Sequence, residues 1–273
     1  MRVSPPRSIY APGLFSGQVA LVTGGGSGIG LCVARELAFL GASVAICGRK
    51  ADKIEAARAL LAADGAADAD VLGGTCDIRE PEQVEALVAA VIDRFGAIDV
   101  LVANAGGQFA APAEEISGKG WRAVERLNLE ANWDLTSRVA TESMIPSRGG
   151  LIVFVGFSPR RGIPTFAHAC ATRAALENLA SSLALEWSRY GIRSVCLSCG
   201  PIETEGLASY GPDSLEESRR TVPLGRLGTA GEVGETVAFL ASPGGAFITG
   251  TTILVDGGVD AWGLAEPPPV PER

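Results

Sequence analysis

Short apolar runs alternate with longer stretches of helical periodicity along almost the whole chain. The runs fall at 18–22, 43–47, 70–75, 98–102, 151–155, 192–197 and 252–255, and each reads as a strand buried on both faces. Between them, apolar residues recur at helical spacing over 31–40, 52–63, 81–95, 120–145, 164–189 and 232–240. Pro81 opens the third of these helices, where its missing N–H costs nothing. The alternation predicts one doubly wound α/β domain, a parallel sheet of about seven strands with helices on both faces. The domain is expected over 17–262, between an N-terminal arm at 1–16 and a flexible tail at 263–273 whose prolines keep it out of the core. A loop-rich insertion at 202–222 interrupts the last third of the pattern.

One junction carries chemistry. Thr23-Gly24-Gly25-Gly26-Ser27-Gly28-Ile29-Gly30 follows the first apolar run and leads into the first helix. Glycines allow a sharp turn and a close backbone approach, while a helix start offers free N–H groups and a positive dipole end. The segment therefore predicts a cradle for a dinucleotide pyrophosphate, with Gly24, Gly26, Ser27, Gly28, Ile29 and Gly30 as its contacts. A tight strand–helix turn with no ligand would look similar, but the flanking strand and helix favour the cradle.

Composition narrows what remains. The 273 residues are 47% hydrophobic and 20% charged, ample for one large core. A net charge of −8 argues against a nucleic-acid groove or an acidic membrane surface as partner. No apolar run is long enough to span a membrane, and the first 16 residues lack the apolar stretch of a secretory signal. Six cysteines are scattered through strand-like and helix-like runs, as in a reduced cytosolic core. Cys196 and Cys199 form a Cys-x-x-Cys with no second pair and read as buried small residues, so no metal is expected.

Further motifs stand after the other strands. They are Asp77-Ile78 after the third, Asn104-Ala105-Gly106 after the fourth and Asn128 in the helix that follows. Gly200-Pro201-Ile202-Glu203-Thr204 comes after the sixth, and Val255-Asp256-Gly257-Gly258 closes the set. With the glycine turn, these motifs make the chain similar to the short-chain dehydrogenase/reductases from Phe15 to about Gly258. The resemblance implies a Rossmann-type fold and a nicotinamide dinucleotide cofactor. It implies that Asp77, with Ile78 beside it, holds the adenine amino group and that Asn104, Ala105 and Gly106 line the adenosine side. Ile202 and Thr204, in the segment begun by Gly200 and Pro201, would approach the nicotinamide carboxamide.

The end of the second strand bears on which dinucleotide. NAD sites usually place an acid there for the ribose 2′-hydroxyl, whereas this chain has Gly48-Arg49-Lys50. A guanidinium pairs with a 2′-phosphate, so NADPH is expected, held by Arg49 and Lys50. The bland alternative is a solvated turn.

The catalytic positions depart from the family's pattern of a tyrosine, a lysine four residues later and a serine about thirteen residues earlier. Aligned through Arg173-Ala174-Ala175-Leu176, those positions hold Ala169, Arg173 and Gly156, and Asn128 alone of the usual four is kept. Arg173 can hold a ribose and supply fixed charge, but it does not titrate usefully. Ala105-Gly106-Gly107-Gln108-Phe109, Lys119-Gly120-Trp121, Ser182-Leu183-Ala184-Leu185-Glu186-Trp187 and the pair His168 and Arg173 resemble the peroxisomal trans-2-enoyl-CoA reductase branch. That branch also lacks the tyrosine–lysine pair at these positions, and it implies hydride transfer to the β-carbon of an enoyl thioester with stabilisation of the enolate oxygen. Glu177 stands where mammalian members carry a tyrosine. The chain ends Pro271-Glu272-Arg273 rather than Ser-Lys-Leu, from which a cytosolic setting is expected.

The candidate catalytic residues are thus Asn128, His168, Arg173 and Ser158. His168, the one histidine, stands beside the vacated tyrosine position and is read either as a donor to the enolate or as a packing residue. Ser158 and Thr165 are nearby hydroxyls that either touch substrate or turn the chain, and Asn128 would hold a water and fix backbone carbonyls. Arg160, Arg161, Arg219 and Arg220 are read as CoA-phosphate contacts or as solvated surface. The insertion, with Tyr210-Gly211-Pro212 as a turn over the acyl chain, is where access would be gated.

The sum is an NADPH-dependent reductase of an activated double bond, a trans-2-enoyl-CoA first, with a homotetramer formed through the two long helices. Two alternatives stay open: an atypical short-chain dehydrogenase acting on a ketone or alcohol, and a catalytically silent nucleotide-binding subunit or sensor.

Overall fold

Every strand in the sheet runs the same way. The strands of the computed structural model are β1 (Val19–Thr23), β2 (Ser43–Gly48), β3 (Val71–Thr75), β4 (Val100–Ala103), β5 (Gly150–Phe157), β6 (Ile192–Cys199) and β7 (Thr252–Val255). They lie in the order β3-β2-β1-β4-β5-β6-β7, so the winding reverses between β1 and β4. The crevice at the carboxyl ends of those two strands is where such sheets receive ligands. The structure describes residues 8–67, 70–158, 160–211 and 213–262.

The helices, in chain order, are α1 (Gly28–Phe39), α2 (Ala51–Ala63), α3 (Pro81–Phe95), α4 (Gly118–Glu125), α5 (Ala131–Val139), α6 (Ile145–Ser147), α7 (Ala167–Trp187), α8 (Glu205–Ala208), α9 (Ser214–Arg220), α10 (Ala230–Ala241) and α11 (Val259–Trp262). Strand side chains alternate between two cores, as the pleat requires. Ala20 and Val22 pack with α1, α2 and α10 on one face. Leu21 packs with α3, α5 and α7 on the other.

Several elements differ from the sequence expectation. The helix expected over 120–145 runs from α4 to α6 and contains two π-helical turns, Arg126–Glu130 and Ala140–Met144. The first holds Asn128, and such turns often mark functional sites. The helix expected from 164 starts at Ala167, because Thr165 adopts φ +69° and Phe166 is not helical. The insertion folds two short helices, α8 and α9.

Residues 8–16 of the expected arm reach the body of the protein: Phe15 is buried, and the Tyr10 hydroxyl donates to the Glu235 carbonyl at 3.1 Å. Residues 1–7, the tail at 263–273 and Pro212 lie outside the described residues. Among the described residues no helix is long and apolar enough to cross a membrane, and no group of three His, Cys, Asp or Glu is placed to hold a metal.

Candidate active site

The turns after β1 and β4 are laced together by one hydroxyl. Thr23 Oγ1 accepts the N–H of Asn104 at 3.1 Å and that of Ala105 at 2.9 Å, while Asn104 Nδ2 donates to the Thr23 carbonyl at 2.8 Å. Gly30 makes this closeness possible, since a Cβ there would fall 2.5 Å from the Gly24 carbonyl oxygen and 2.6 Å from Asn104 Nδ2. Gly24 and Gly28 sit at φ +66° and +55°, in the left-handed region. Ser27 begins α1 without a side-chain cap, and the first turn carries no acid. Its N–H groups and the positive end of the helix dipole are therefore open to an anion. Gly26 and Ile29 belong to the same turn. A dinucleotide pyrophosphate fits this backbone.

At the end of β2, Arg49 and Lys50 are exposed. Asp77 is bound by Arg79 through Nε at 2.9 Å and through Nη2 at 2.5 Å. The Arg79 side chain holds the Asp77 carboxyl below its ordinary value against the upward push of burial, with Arg49 adding a smaller pull. Sequence reasoning missed Arg79, although the Asp-x-Arg spacing was there to read. Ile78 is buried in the core beside α3.

Asn128 joins two walls of the crevice. Its Oδ1 accepts the Gly107 N–H at 2.9 Å and its Nδ2 donates to Thr172 Oγ1 at 3.2 Å. Asn132, one turn later, donates to the carbonyls of Ala105, Leu127 and Asn128. It too was missed, though asparagines four apart on a helix share a face.

Arg173 enters from α7, and its Nη1 donates to the Val155 carbonyl at 2.6 Å. Burial pulls its guanidinium below the ordinary value, from so high a start that it stays cationic at neutral pH. Burial also pushes the Cys196 and Cys199 thiols up to about 12, which leaves neither a thiolate nucleophile.

His168 is not open to the crevice. It is fully buried, its ring stands edge-on to Phe109 at 4.4 Å, and neither ring nitrogen meets a hydrogen-bond partner in the protein. Neighbours on a helix diverge by about 100°, and the position beside the vacated site is carried inward. Ala169 is fully buried as well.

Ser158 is committed elsewhere: its Oγ donates to Asp256 Oδ2 at 2.6 Å, beyond the end of β7. Arg160 binds Asp260 and Glu177, while Arg219 and Arg220 both bind Glu216, so three of the four cations expected at a CoA phosphate are ion-paired within the chain, and Arg161 is exposed. Thr165 is exposed, and its carbonyl accepts the Ala111 N–H at 2.9 Å.

The insertion spans the crevice. The Gly200 N–H donates to the Val255 carbonyl at 3.0 Å, the Pro201 carbonyl accepts the Gly228 N–H at 3.0 Å, and Ile202 is buried. The Thr204 methyl would sit 3.6 Å from a Cβ on Gly28, and Glu205 pairs with Lys53 at 3.0 Å. Tyr210 then reaches the other end, where its hydroxyl accepts Gln108 Nε2 at 3.0 Å and its ring stands edge-on to Phe166 at 5.6 Å. A separate groove of about 780 Å³ lies toward β7 and α10, lined by Tyr10, Leu224, Phe239 and Leu254, and meets the site through Pro201, Ile202, Gly228, Val255 and Asp256.

Known proteins share this fold. A family model described as enoyl-(acyl carrier protein) reductase matches residues 24–260. The peroxisomal 2,4-dienoyl-CoA reductase of Danio rerio is 34% identical over 259 residues, which are 93% of this chain and 84% of that protein. A citronellol catabolism dehydrogenase of Pseudomonas aeruginosa has a similar structure with a TM-score of 0.82 and 41% identity, covering 93% of this chain and 99% of its own. An actinorhodin polyketide ketoreductase variant with NADPH reaches a TM-score of 0.85 at 32% identity, covering 92% of this chain and 99% of its own.

Proposed function

The chain belongs to the short-chain dehydrogenase/reductase family, as an oxidoreductase with a nicotinamide cofactor, and from that premise we propose that it is an NADPH-dependent reductase of an activated carbon–carbon double bond. The substrate proposed is a trans-2-enoyl thioester carried by CoA.

One observation carries the choice of a double bond: at the two α7 positions where the family keeps its tyrosine and lysine, this chain offers an alanine and a fixed charge. Arg173 is a buried cation against the Gly106 turn, and Ala169 has no hydroxyl. Reducing a ketone makes an alkoxide that needs its proton at once, from a positioned acid. Reducing an enoyl thioester makes a delocalised enolate, which preorganised donors can hold until the carbon is protonated. Similarity to a 2,4-dienoyl-CoA reductase supports the same chemistry.

The roles follow. Gly24, Gly26, Ser27, Gly28, Ile29 and Gly30 would hold the pyrophosphate, Arg49 and Lys50 the 2′-phosphate, and Asp77, Ile78, Asn104, Ala105 and Gly106 the adenosine side. Gly200, Pro201, Ile202 and Thr204 would meet the nicotinamide end. When bound, the cofactor supplies hydride for the β-carbon. Arg173 holds the ribose and sets the positive field, and Asn128 keeps the Gly107 turn in register with α7. Ser158 anchors the wall through Asp256, and His168 backs Phe109.

We place the protein in a reducing cytosol, in keeping with six free cysteines of which four are buried. A homotetramer through the long helices is supported by their apolar surface: Trp133 stacks on Trp187 at 6.5 Å, and Leu185 is 82% exposed. The citronellol dehydrogenase, at 41% identity, favours a second reading as an alcohol or ketone enzyme. Following NADPH absorbance with trans-2-enoyl-CoAs, 2,4-dienoyl-CoAs and a ketone panel separates the two. Loss confined to the thioesters is expected, and loss confined to ketones would overturn the proposal.

A further inference from the structure

Protonating the α-carbon needs an acid, and few groups at the mouth of the crevice are free to act. On α7, Ala169 has no polar side-chain atom, His168 is sealed under Phe109, and a guanidinium does not give up its proton at neutral pH. Ser158 already donates to Asp256. Tyr210 arrives from the opposite side. It follows α8 in the insertion, and its ring is set edge-on against Phe166, the residue before α7, at an interplanar angle of 85°.

The phenolic oxygen of Tyr210 accepts from Gln108, on the turn that Asn128 holds at Gly107. Because Gln108 is the donor in that pair, the phenolic proton remains for a third partner. Tyr210 is 43% exposed, so that partner is reached from the open mouth. The other tyrosines are elsewhere: Tyr10 is bonded to the Glu235 carbonyl, and Tyr190 lies at the far end of α7 under Arg189.

We propose that Tyr210 is the catalytic acid of this site, a phenol supplied by the insertion rather than by α7. The proposal rests on the double-bond reading above. With hydride added at the β-carbon, the electrons of the double bond shift onto the thioester as an enolate. The enolate carbon then takes the proton of Tyr210, so that the O–H bond breaks as the α C–H bond forms. The phenolate is stabilised by the Gln108 N–H and recovers its proton from water at the mouth.

The test is reduction of a trans-2-enoyl-CoA in D2O by the full chain and by Tyr210→Phe, which keeps the ring against Phe166. The unsubstituted chain should place deuterium on one face of the α-carbon. Tyr210→Phe should lower kcat about 100-fold, spread deuterium over both faces of the residual product, and leave the Kd for NADPH unchanged. Gln108→Leu should cost about tenfold in kcat with the same single face, since it removes only the support of the phenolate. Tyr210→Phe turnover within twofold, with one labelled face, would overturn the proposal. So would a loss that tracks weaker NADPH binding, which would make Tyr210 a latch. If the unsubstituted chain reduces ketones alone, the double-bond reading fails by itself, and Tyr210 stands or falls on whether Tyr210→Phe keeps that ketone activity. No turnover with either substrate overturns both.

Discussion

The guanidinium of Arg173 lies flush against the backbone of Gly106: a Cβ at 106 would fall 2.1 Å from Nη2 and 2.9 Å from Cζ. Neither can move cheaply, because Nη1 is bonded to the Val155 carbonyl and Asn128 Oδ1 would stand 3.0 Å from the same Cβ. Gly106→Ala should therefore cost about 1–3 kcal/mol of stability, as overpacking does. It should also weaken dinucleotide binding on the β4 turn. Urea unfolding and a fluorescence titration with NADPH measure the two effects, and a variant matching the parent in both would refute this packing.

Arg49 tests the cofactor. Removing one charge-assisted bond to a 2′-phosphate forfeits about 1.5–3 kcal/mol, so Arg49→Glu should raise the Kd for NADPH by tenfold or more. NADH, which has no 2′-phosphate, should bind as well as before or better. Equal losses for both would show that Arg49 acts on something the two cofactors share.

His168 is assigned to packing, with its ring fully buried against Phe109. His168→Ala should keep kcat within about threefold while losing about 2–4 kcal/mol of stability to the cavity left behind. A hundredfold loss of kcat at full stability would return His168 to the chemistry.

Glu232 sets an acid limit. Hydrogen bonding from Arg226 first, and from the Thr229 N–H, brings its carboxyl from 4.5 down to about 2 against the upward push of burial. Between those values the unfolded chain binds the proton and the folded chain does not, so stability falls as pH is lowered through that window. Glu232→Gln should flatten that part of the curve of urea midpoint against pH. It should also lower stability slightly at neutral pH, since it removes the charge that pairs with Arg226 while the amide oxygen can still cap α10.

Leu185 tests the assembly. Light scattering should give four chains for the parent protein and a smaller mass for Leu185→Asp, which puts a charge on the exposed helix face. A parent mass of one chain would refute the tetramer.

The strands, the glycine turn and the cation at the end of β2 were legible in the sequence because each is a local pattern. A buried parallel strand is apolar at nearly every position, a phosphate turn needs glycine, and a helix start follows at once. A parallel sheet of about seven strands followed from these patterns, and the order of its strands came from the folded chain.

What a side chain faces was another matter. Periodicity placed His168 on a helix beside the active position, but only the packing of α7 against the post-β4 turn put it under Phe109. Ser158 looked free until the end of β7 brought Asp256 to it, 98 positions along the chain. Tyr210 and Gln108 meet across 102 positions, and nothing local to either announces the other. Residue type and spacing determined which groups this protein has. The tertiary structure decided which are spent on one another and which remain for a substrate, because hydrogen-bond partners are set by distances that only the folded chain defines.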